Sequence, residues 1–474
     1  MIWGNNPLRA NADGFFGHWI IDCMKRGAKL IVVDPRRIWL ANRAAVYLPV
    51  RPGTDTALAL AILHVLIEED LYDHEFVERW CYGFDELAAA VADWTPERAE
   101  EVCWCPADDI RAAARMIAEA DGCVNQWGVA VDMQKRAVSS GHAIIDIFAI
   151  TGNIDNPGGN ICPDYILMYF NGWGREFLDP EKRAARIGDD KYPMVANAYS
   201  KAMFDSVLEA IDTGEPHQMR AAWLQTVNTL VNSAPDPAYV VRAMRKLEFV
   251  AAIDLFMTPT AMALCELFLP VSCVAERRGA VMPQFGRNMS FIGALTQAIP
   301  ENDTKCDIDI MIDMGRMMNP DAWPWTNVED FYDDWLGRFY GFGYQDLVEK
   351  NVYFPGYTYK KYEKGMLRPD GEPGFNTPTG MIEVCSSIYD DFGEDELPYF
   401  MEPAMSPYST PDLYEDYPLV MTTGGRSFVS FHSEHRQIPS LRAIHPDPLV
   451  TINPKTAAKY GINDGDYVLI ENPL

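Results

Sequence analysis

The sequence predicts an α/β fold: doubly wound, mostly parallel sheets in two lobes, followed by a C-terminal, incomplete β-barrel-like domain. Three observations predict it. Short β-branched apolar runs alternate with helical stretches through most of the chain, the mark of strand–helix–strand units. Some of these runs end on an acid followed by a turn residue, as in Lys29-Leu30-Ile31-Val32-Val33-Asp34-Pro35. After about residue 410 the pattern changes to alternating or β-branched segments with one short helix among them.

Taken in order, Met1-Ile2-Trp3 reads as the tail of a strand, stopped by the turn chemistry of Gly4-Asn5-Asn6-Pro7. Phe15 to Lys25 reads as a helix, and Lys29 to Asp34 as a buried strand between Gly27 and Pro35. Thr54 to Glu69 is a strongly apolar helix, and its charge-free run from Ala57 to Ile67 is too short to span a membrane. Thr95 is placed to cap a helix starting at Pro96, and Asp108-Asp109 suit the start of another running to Ala120. Val124 to Val129 reads as a second buried strand, and Val138 to Ile150 as a helix ending at Gly152. Tyr165 to His217 is irregular, rich in Asn, Gly and aromatics. A second block follows: strands at Ala221 to Val227, Phe249 to Ile253 and Leu267 to Pro270, with a helix at Ala238 to Lys246. An aromatic-rich stretch carries a helix around Val328 to Tyr340. The expected barrel strands are Tyr417 to Thr423, Leu449 to Ile452 and Asp466 to Ile470, with a helix at Lys455 to Tyr460. Both ends look cut, because a barrel stopping at Val468-Leu469-Ile470 leaves an unpaired edge.

Composition narrows the function. Across 474 residues, 48% hydrophobic and 12% aromatic content supports sizeable cores and argues against disorder. A formal charge of −28 repels phosphate backbones, so neither nucleic acid nor an anionic membrane surface is an expected partner, and the short apolar runs predict no direct membrane insertion. The start shows no basic segment leading into an apolar one, so no signal peptide is visible. The ten cysteines contain no Cys-x-x-Cys, and Cys103 with Cys105 would alternate faces, so no metal site is expected from this chain's own cysteines. Gly-x-Gly-x-x-Gly after the first strand, the P-loop and His-Glu-x-x-His are all missing, which disfavours an ordinary NAD fold, a phosphate-loop enzyme and a zinc protease.

Three segments share one design, in which a strand ends and small or polar residues expose backbone: Gly4-Asn5-Asn6, Asp34-Pro35-Arg36 and Asp254 to Thr258. Parallel sheets bind ligands at such carboxyl ends. An Asp there accepts two hydrogen bonds from a guanine edge or a ribose diol, and Arg36 or Arg37 could clamp a diphosphate. Gly53-Thr54-Asp55-Thr56 opens a helix, where N–H groups attract anionic oxygens. Each of these also reads as a satisfied turn or cap. Thr151 to Asn160 reads as a helix end followed by tight turns, or as a loop through which backbone approaches a ligand.

The ordered set Trp-Gly-Asn-Asn-Pro, Asp-Pro-Arg-Arg, Pro-Gly-Thr-Asp and Thr-Gly-Asn-Ile-Asp-Asn-Pro-Gly-Gly-Asn resembles the molybdopterin oxidoreductases of the dimethyl-sulfoxide-reductase type. The likeness continues through Asp254-Leu255-Phe256-Met257-Thr258-Pro259-Thr260, Gly286-Arg287, Phe375 to Gly380 and Asn453-Pro454, then Gly461 to Asp466. It implies a bis(molybdopterin guanine dinucleotide) cofactor holding molybdenum or tungsten. Gly4, Asn5, Asn6, Asp34, Arg36, Gly53 and Asp55 would grip one dinucleotide. Trp127, Gly128, Asn228, Asp254 and Thr258 would grip the other, with Asn453 closing from the barrel. Asn228 lacks the family's Gly-x-Asn-Pro surroundings. The division implied is 1–220 and 221–330 for two α/β dinucleotide-binding lobes, 331–410 for an aromatic-rich connection and 411–474 for a partial dinucleotide-binding barrel.

Family members carry an iron–sulfur cluster and the protein ligand to the metal before the Trp-Gly-x-Asn-Pro segment, so an iron–sulfur cluster is expected only in a region preceding Met1. No catalytic ligand is therefore assignable; His142 and His432 are the catalytic candidates, with Arg175, Arg426 and His435 also placed for substrate. His142, on an apolar helix, reads more readily as a satisfied core histidine. The Trp127 to Gly159 stretch is similar to the acetylene-hydratase-like and catechol-dehydroxylase-like branches. Ile161 to Tyr165 lacks the Arg and Gln-Asn run of the formate-dehydrogenase branch. The expected activity is two-electron redox or oxygen-atom or hydroxyl transfer on a small-molecule substrate, by a chain that is inactive alone and works beside an iron–sulfur electron-transfer subunit. The alternative is a non-catalytic cofactor-binding or assembly module of the same fold. Residence is expected in the cytoplasm, or in the periplasm if a preceding region carries a twin-arginine signal.

Overall fold

A computed structural model describes the chain apart from residues 10–15, 163–178, 200, 234–235, 282–290, 355, 424–426, 428, 431–435, 437 and 474. The chain packs as two units: Met1–Asn160 with Gly374–Leu474, and Ile161–Pro373.

In the first unit, β1 (Ile2–Trp3), β2 (Ile31–Val33), β3 (Val46–Leu48) and β5 (Gln126–Trp127) form a parallel sheet in the order β3-β2-β1-β5. Ile2 faces Val32 on one side and Gln126 on the other. The strand order reverses at β1, and a parallel sheet opens a ligand crevice at such a reversal, outside the strand carboxyl ends. Ile2, Leu30, Val32, Ile38 and Leu40 pack into one core cluster against it.

Helices α1 (Phe16–Lys25), α2 (Asp55–Glu68), α3 (His74–Trp80), α4 (Phe84–Val91), α5 (Pro96–Cys103), α6 (Ala107–Ala118), α7 (Val129–Asp132) and α8 (Ala137–Ile150) complete the first part. The apolar pattern of α2 runs right round the helix, so it has no solvent face and sits centrally, packed by α4, α5, α6 and α8. Leu58, Leu60, Ile62, Leu63 and Leu66 are all buried, each stabilising the fold by roughly 2 kcal/mol through burial. Thr95 caps α5 as its position predicts, accepting from the Arg98 amide at 3.3 Å. The chain returns after Gly374, where β12 (Ile382–Glu383) pairs in parallel with β4 (Cys81–Tyr82).

In the second unit, β6 (Ala221–Gln225), β7 (Phe249–Asp254) and β8 (Leu267–Pro270) form a parallel sheet with β7 central. Helices Phe204–Thr213 and Pro237–Met244 cover it through Leu208, Ile211, Val240 and Met244. β9 (Gly279–Val281), β10 (Ile292–Leu295) and β11 (Val352–Tyr353) make an antiparallel sheet packed against helices Val328–Tyr340 and Tyr344–Lys350.

Three expectations need correction. Val124 to Val129 is not a strand throughout: it is cut to β5 because Gly128 meets the Gly4 backbone and the chain then turns into α7. The stretch from Tyr165 to His217 is not wholly irregular, since its described part holds helices Pro180–Ala184, Pro193–Tyr199 and Phe204–Thr213. Most consequential, no strand forms among the described residues of 411–474, so the barrel-like domain is not observed; the expected helix is present as Pro454–Lys459, beside short helices Pro411–Asp416 and Pro439–Arg442. Leu419, Leu449 and Leu469 are exposed there, Leu449 by 71%. An alternating pattern names the face a strand would bury, but a strand also needs a ladder partner, and these segments have none among the described residues. No helix among the described residues is long and apolar enough to cross a membrane.

Candidate functional site

The carboxyl edge of the first sheet brings the predicted residues Gly4, Asn5, Asn6, Asp34, Trp127 and Gly128 to the ends of adjacent strands, and the ladder continues through the turns. Gly4 N donates to Val33 O at 2.7 Å, Gly128 N to Trp3 O at 2.9 Å, and Asp34 N to Leu48 O at 3.2 Å. A Cβ on Gly128 would lie 2.4 Å from the Gly4 carbonyl oxygen, and Gly4 itself has a φ of +57°. These glycines therefore serve a backbone-on-backbone approach at the sheet reversal.

Asp34 is 3% exposed. Its Oδ1 accepts the Arg36 amide at 2.7 Å, closing the Asp-Pro-Arg turn. Burial raises its pKa, and Arg36 opposes that rise. The Arg36 side chain stays largely exposed, with its Nε 3.9 Å from Asp34 Oδ1. It remains available to an anionic ligand.

Asp55, the first residue of α2, is the more unusual group. It is 4% exposed, and its Oδ1 accepts Trp3 Nε1 at 2.6 Å. Its Oδ2 is buried with no hydrogen-bond partner. Burial raises its pKa against the pull of the Trp3 hydrogen bond and of the nearby Gln134 side chain, whose Nε2 donates to Ala130 O at 2.6 Å. An unmade hydrogen bond at a buried carboxylate costs about 1–3 kcal/mol or more, so such an atom calls for an occupant. Asn125 Oδ1 and Gln126 Oε1, on and beside β5, are likewise buried without partners. Thr54 does not point at a ligand, because its hydroxyl donates to Arg51 O at 2.7 Å. Gly53 carries a φ of +85°.

The Asn-rich loop from Thr151 to Asn160 is held by its own chain. Asn153 Oδ1 accepts the Cys123 amide at 2.7 Å, and Asn160 Oδ1 accepts the Asn125 amide at 2.9 Å. Gly122 packs on Pro157 and Gly158, with a Cβ there 2.8 Å from the Pro157 oxygen. The asparagines thus stitch the lead-in to the edge strand β5.

In the second unit, Asp254 ends β7 and its Oδ1 accepts the Leu255 amide at 2.7 Å. Leu255, Phe256 and Met257 are exposed. Thr258 caps helix Pro259–Leu264, accepting the Ala261 amide at 3.2 Å. Asn228 Oδ1 accepts Thr260 Oγ1 at 2.8 Å, and that hydroxyl also accepts the Leu230 amide at 3.1 Å. Asn453 is exposed and caps Pro454–Lys459 through the Lys455 amide at 2.9 Å.

Of the catalytic candidates, His142 lies on α8 with its side chain 11% exposed. Its Nε2 lies 3.3 Å from Glu383 O and 3.6 Å from Asp146 Oδ1, and its Nδ1 has no partner. Burial lowers its pKa, and Asp146, wholly buried, has its pKa raised well above the ordinary range. His432, Arg175, Arg426 and His435 lie outside the described residues. Sequence reasoning missed Trp3, Arg51, Gln134 and Thr260. Arg51 stood in the Arg-Pro-Gly-Thr-Asp run, but its partner lies at Glu402, which no local signal reveals.

Two parallel sheets with acids and tight turns on their carboxyl edges define an α/β protein of the nucleotide-cofactor-binding class. Residues 1–316 match the family model for molybdopterin oxidoreductases, and residues 419–474 that for the molydopterin dinucleotide binding domain. The chain belongs to the molybdopterin oxidoreductase family. It is 31% identical to the acetylene hydratase of Syntrophotalea acetylenica over 94% of its own length and 63% of that protein. It is 29% identical to the dopamine dehydroxylase of Eggerthella lenta, over 82% of this chain and 46% of that one. The solved acetylene hydratase from Pelobacter acetylenicus superposes with a TM-score of 0.86 at 28% identity, covering 98% of this chain and 66% of that one. The chain thus spans less than two thirds of each of these relatives.

Proposed function

We propose that this chain grips a bis(molybdopterin guanine dinucleotide) carrying molybdenum or tungsten, within an enzyme that adds or removes oxygen or hydroxyl at a carbon of a small substrate. Acetylene hydratase and dopamine dehydroxylase, both named for that kind of change at carbon, support the substrate class. The observation that carries the binding assignment is the buried, unpartnered Oδ2 of Asp55 beside the reversal of the first sheet. A carboxylate oxygen there accepts N–H groups, which a guanine edge supplies and a phosphate does not.

Gly4, Asn5, Asn6, Asp34, Arg36, Gly53 and Asp55 would hold one dinucleotide. Arg36, exposed beside the edge, would meet its diphosphate. The family resemblance assigns Trp127, Gly128, Asn228, Asp254, Thr258 and Asn453 to the other. When bound, the metal supplies the two-electron or oxygen-transfer step. The chain's own residues orient the dinucleotides and exclude water at Asp55. Electrons would come from an iron–sulfur subunit. Acid release of nucleotide with metal analysis of the purified protein tests this: roughly two guanine nucleotides per molybdenum or tungsten are expected for a bis-dinucleotide. Adenine nucleotide, or neither metal, would defeat the proposal.

A further inference from the structure

An arginine beside a glycine turn invites reading as a phosphate clamp, but all three guanidinium nitrogens of Arg51 donate inside the chain. Its backbone N donates to Cys103 O at 2.8 Å, and its Nε to Val102 O at 2.8 Å. Its Nη1 and Nη2 make a two-pronged pair with the Glu402 carboxylate at 2.7 and 2.8 Å. The residue is 2% exposed, and its guanidinium lies over the rings of Trp104 and Tyr408, 5.6 and 5.0 Å from their centroids. The Tyr408 hydroxyl accepts Trp104 Nε1 at 3.2 Å, closing the stack.

The turn that follows is fixed from both ends. Arg51 O accepts Thr54 N at 3.2 Å and Thr54 Oγ1 at 2.7 Å. Pro403, the neighbour of Glu402, occupies the space beside Gly53, where a Cβ would lie 2.5 Å from Pro403 Cγ. The next residue after Thr54 is Asp55. Burial works to raise the Glu402 pKa, yet hydrogen bonds from Arg51 and Ser406 prevail and hold it below its ordinary value.

We propose that Glu402 and Pro403 form a strap across the Arg51–Asp55 turn, and that Arg51 and Glu402 are positioning residues which set the Asp55 carboxylate for a guanine dinucleotide. The proposal rests on the function given above. Its physical content is that a bidentate arginine–carboxylate pair fixes both distance and plane, which a backbone turn alone does not. Losing one partner strands a buried charge, so the effect concentrates on this turn.

The test uses the whole chain, purified from a host that makes the cofactor, as wild type, Glu402→Gln and Arg51→Lys. Glu69→Gln is the control, because it breaks an equally bidentate pair with Arg115, of 2.7 and 2.8 Å, elsewhere on the unit. Hydrogen exchange of peptides spanning 51–58 is measured without added ligand, with guanine nucleotide retained per folded chain and Tm alongside. Glu402→Gln and Arg51→Lys are expected to speed exchange there about tenfold and to cut retained nucleotide about fivefold. Glu69→Gln moves neither. Unchanged exchange at 51–58 in Glu402→Gln overturns the strap. Faster exchange or lower Tm with full nucleotide retention overturns the positioning role. If Arg51→Lys does not fold, Glu402→Gln, which preserves shape, decides. A wild-type chain holding no guanine nucleotide defeats the function proposed above and the ligand half of this inference, whereas the exchange result separately decides the strap.

Discussion

The two parallel sheets reach similar carboxyl edges by opposite means. In the first, Asp34 and Asp55 are buried, and Asp55 keeps one oxygen without a partner. In the second, Asp254 and Thr258 close turns and caps of their own chain, and the adjoining Leu255 is 52% exposed. The first edge is preorganised at a desolvation cost that a ligand would relieve; the second is locally satisfied and loses little in water. A guanine-bearing ligand should therefore draw its specificity mainly from the first edge.

The sharpest way to break this comparison is at the sheet reversal. Gly128→Ala places a methyl 2.4 Å from the Gly4 oxygen, and a chemical denaturation curve should show a loss of about 2–3 kcal/mol from overpacking. No loss would mean the edge yields and is not preorganised. Next comes ligand selectivity. Asp55→Asn keeps an acceptor for Trp3 but removes the anionic oxygen, so retained guanine nucleotide should fall roughly tenfold, about 1.4 kcal/mol. Asp254→Asn should lower it by less, and equal losses would erase the asymmetry. Thr258→Ala removes a helix cap and should lower thermal stability by about 1 kcal/mol, whether or not nucleotide is bound.

The last prediction is a slope. Asp146 has its pKa raised by burial, so the folded chain keeps a proton that the unfolded chain releases. Its contribution is full below the ordinary carboxylate value of 3.8 and is lost as pH rises through the raised folded value. His142 on the same helix and Cys81 of β4 face it. Asp146→Asn should flatten the fall of stability over that range, read by denaturation at a series of pH values. An unchanged slope would place the ionised form in the fold.

Much of the architecture was legible because local chemistry writes it. Val328–Tyr340 begins at an Asn cap and ends at Gly341, and both signals lie in the sequence. Leu267–Pro270 and the apolar α2 were equally plain. The short strands β3, β9 and β12 were not, since two or three residues carry too little periodicity to read. The barrel strands do not form among the described residues for the complementary reason: pattern supplies a face, and a ladder partner must come from elsewhere.

By itself the sequence determined the long, well-capped helices, where strands would stop on acids, and the ordered motifs that mark the family. Those are properties of neighbouring residues, fixed by caps, glycine turns and apolar spacing. Only the tertiary structure decided that Trp3 meets Asp55, that Thr258 serves its own helix and that Arg51 belongs to Glu402. Such pairings depend on which distant groups are buried together, because burial determines which hydrogen bonds must be made and which atom is left waiting for a ligand.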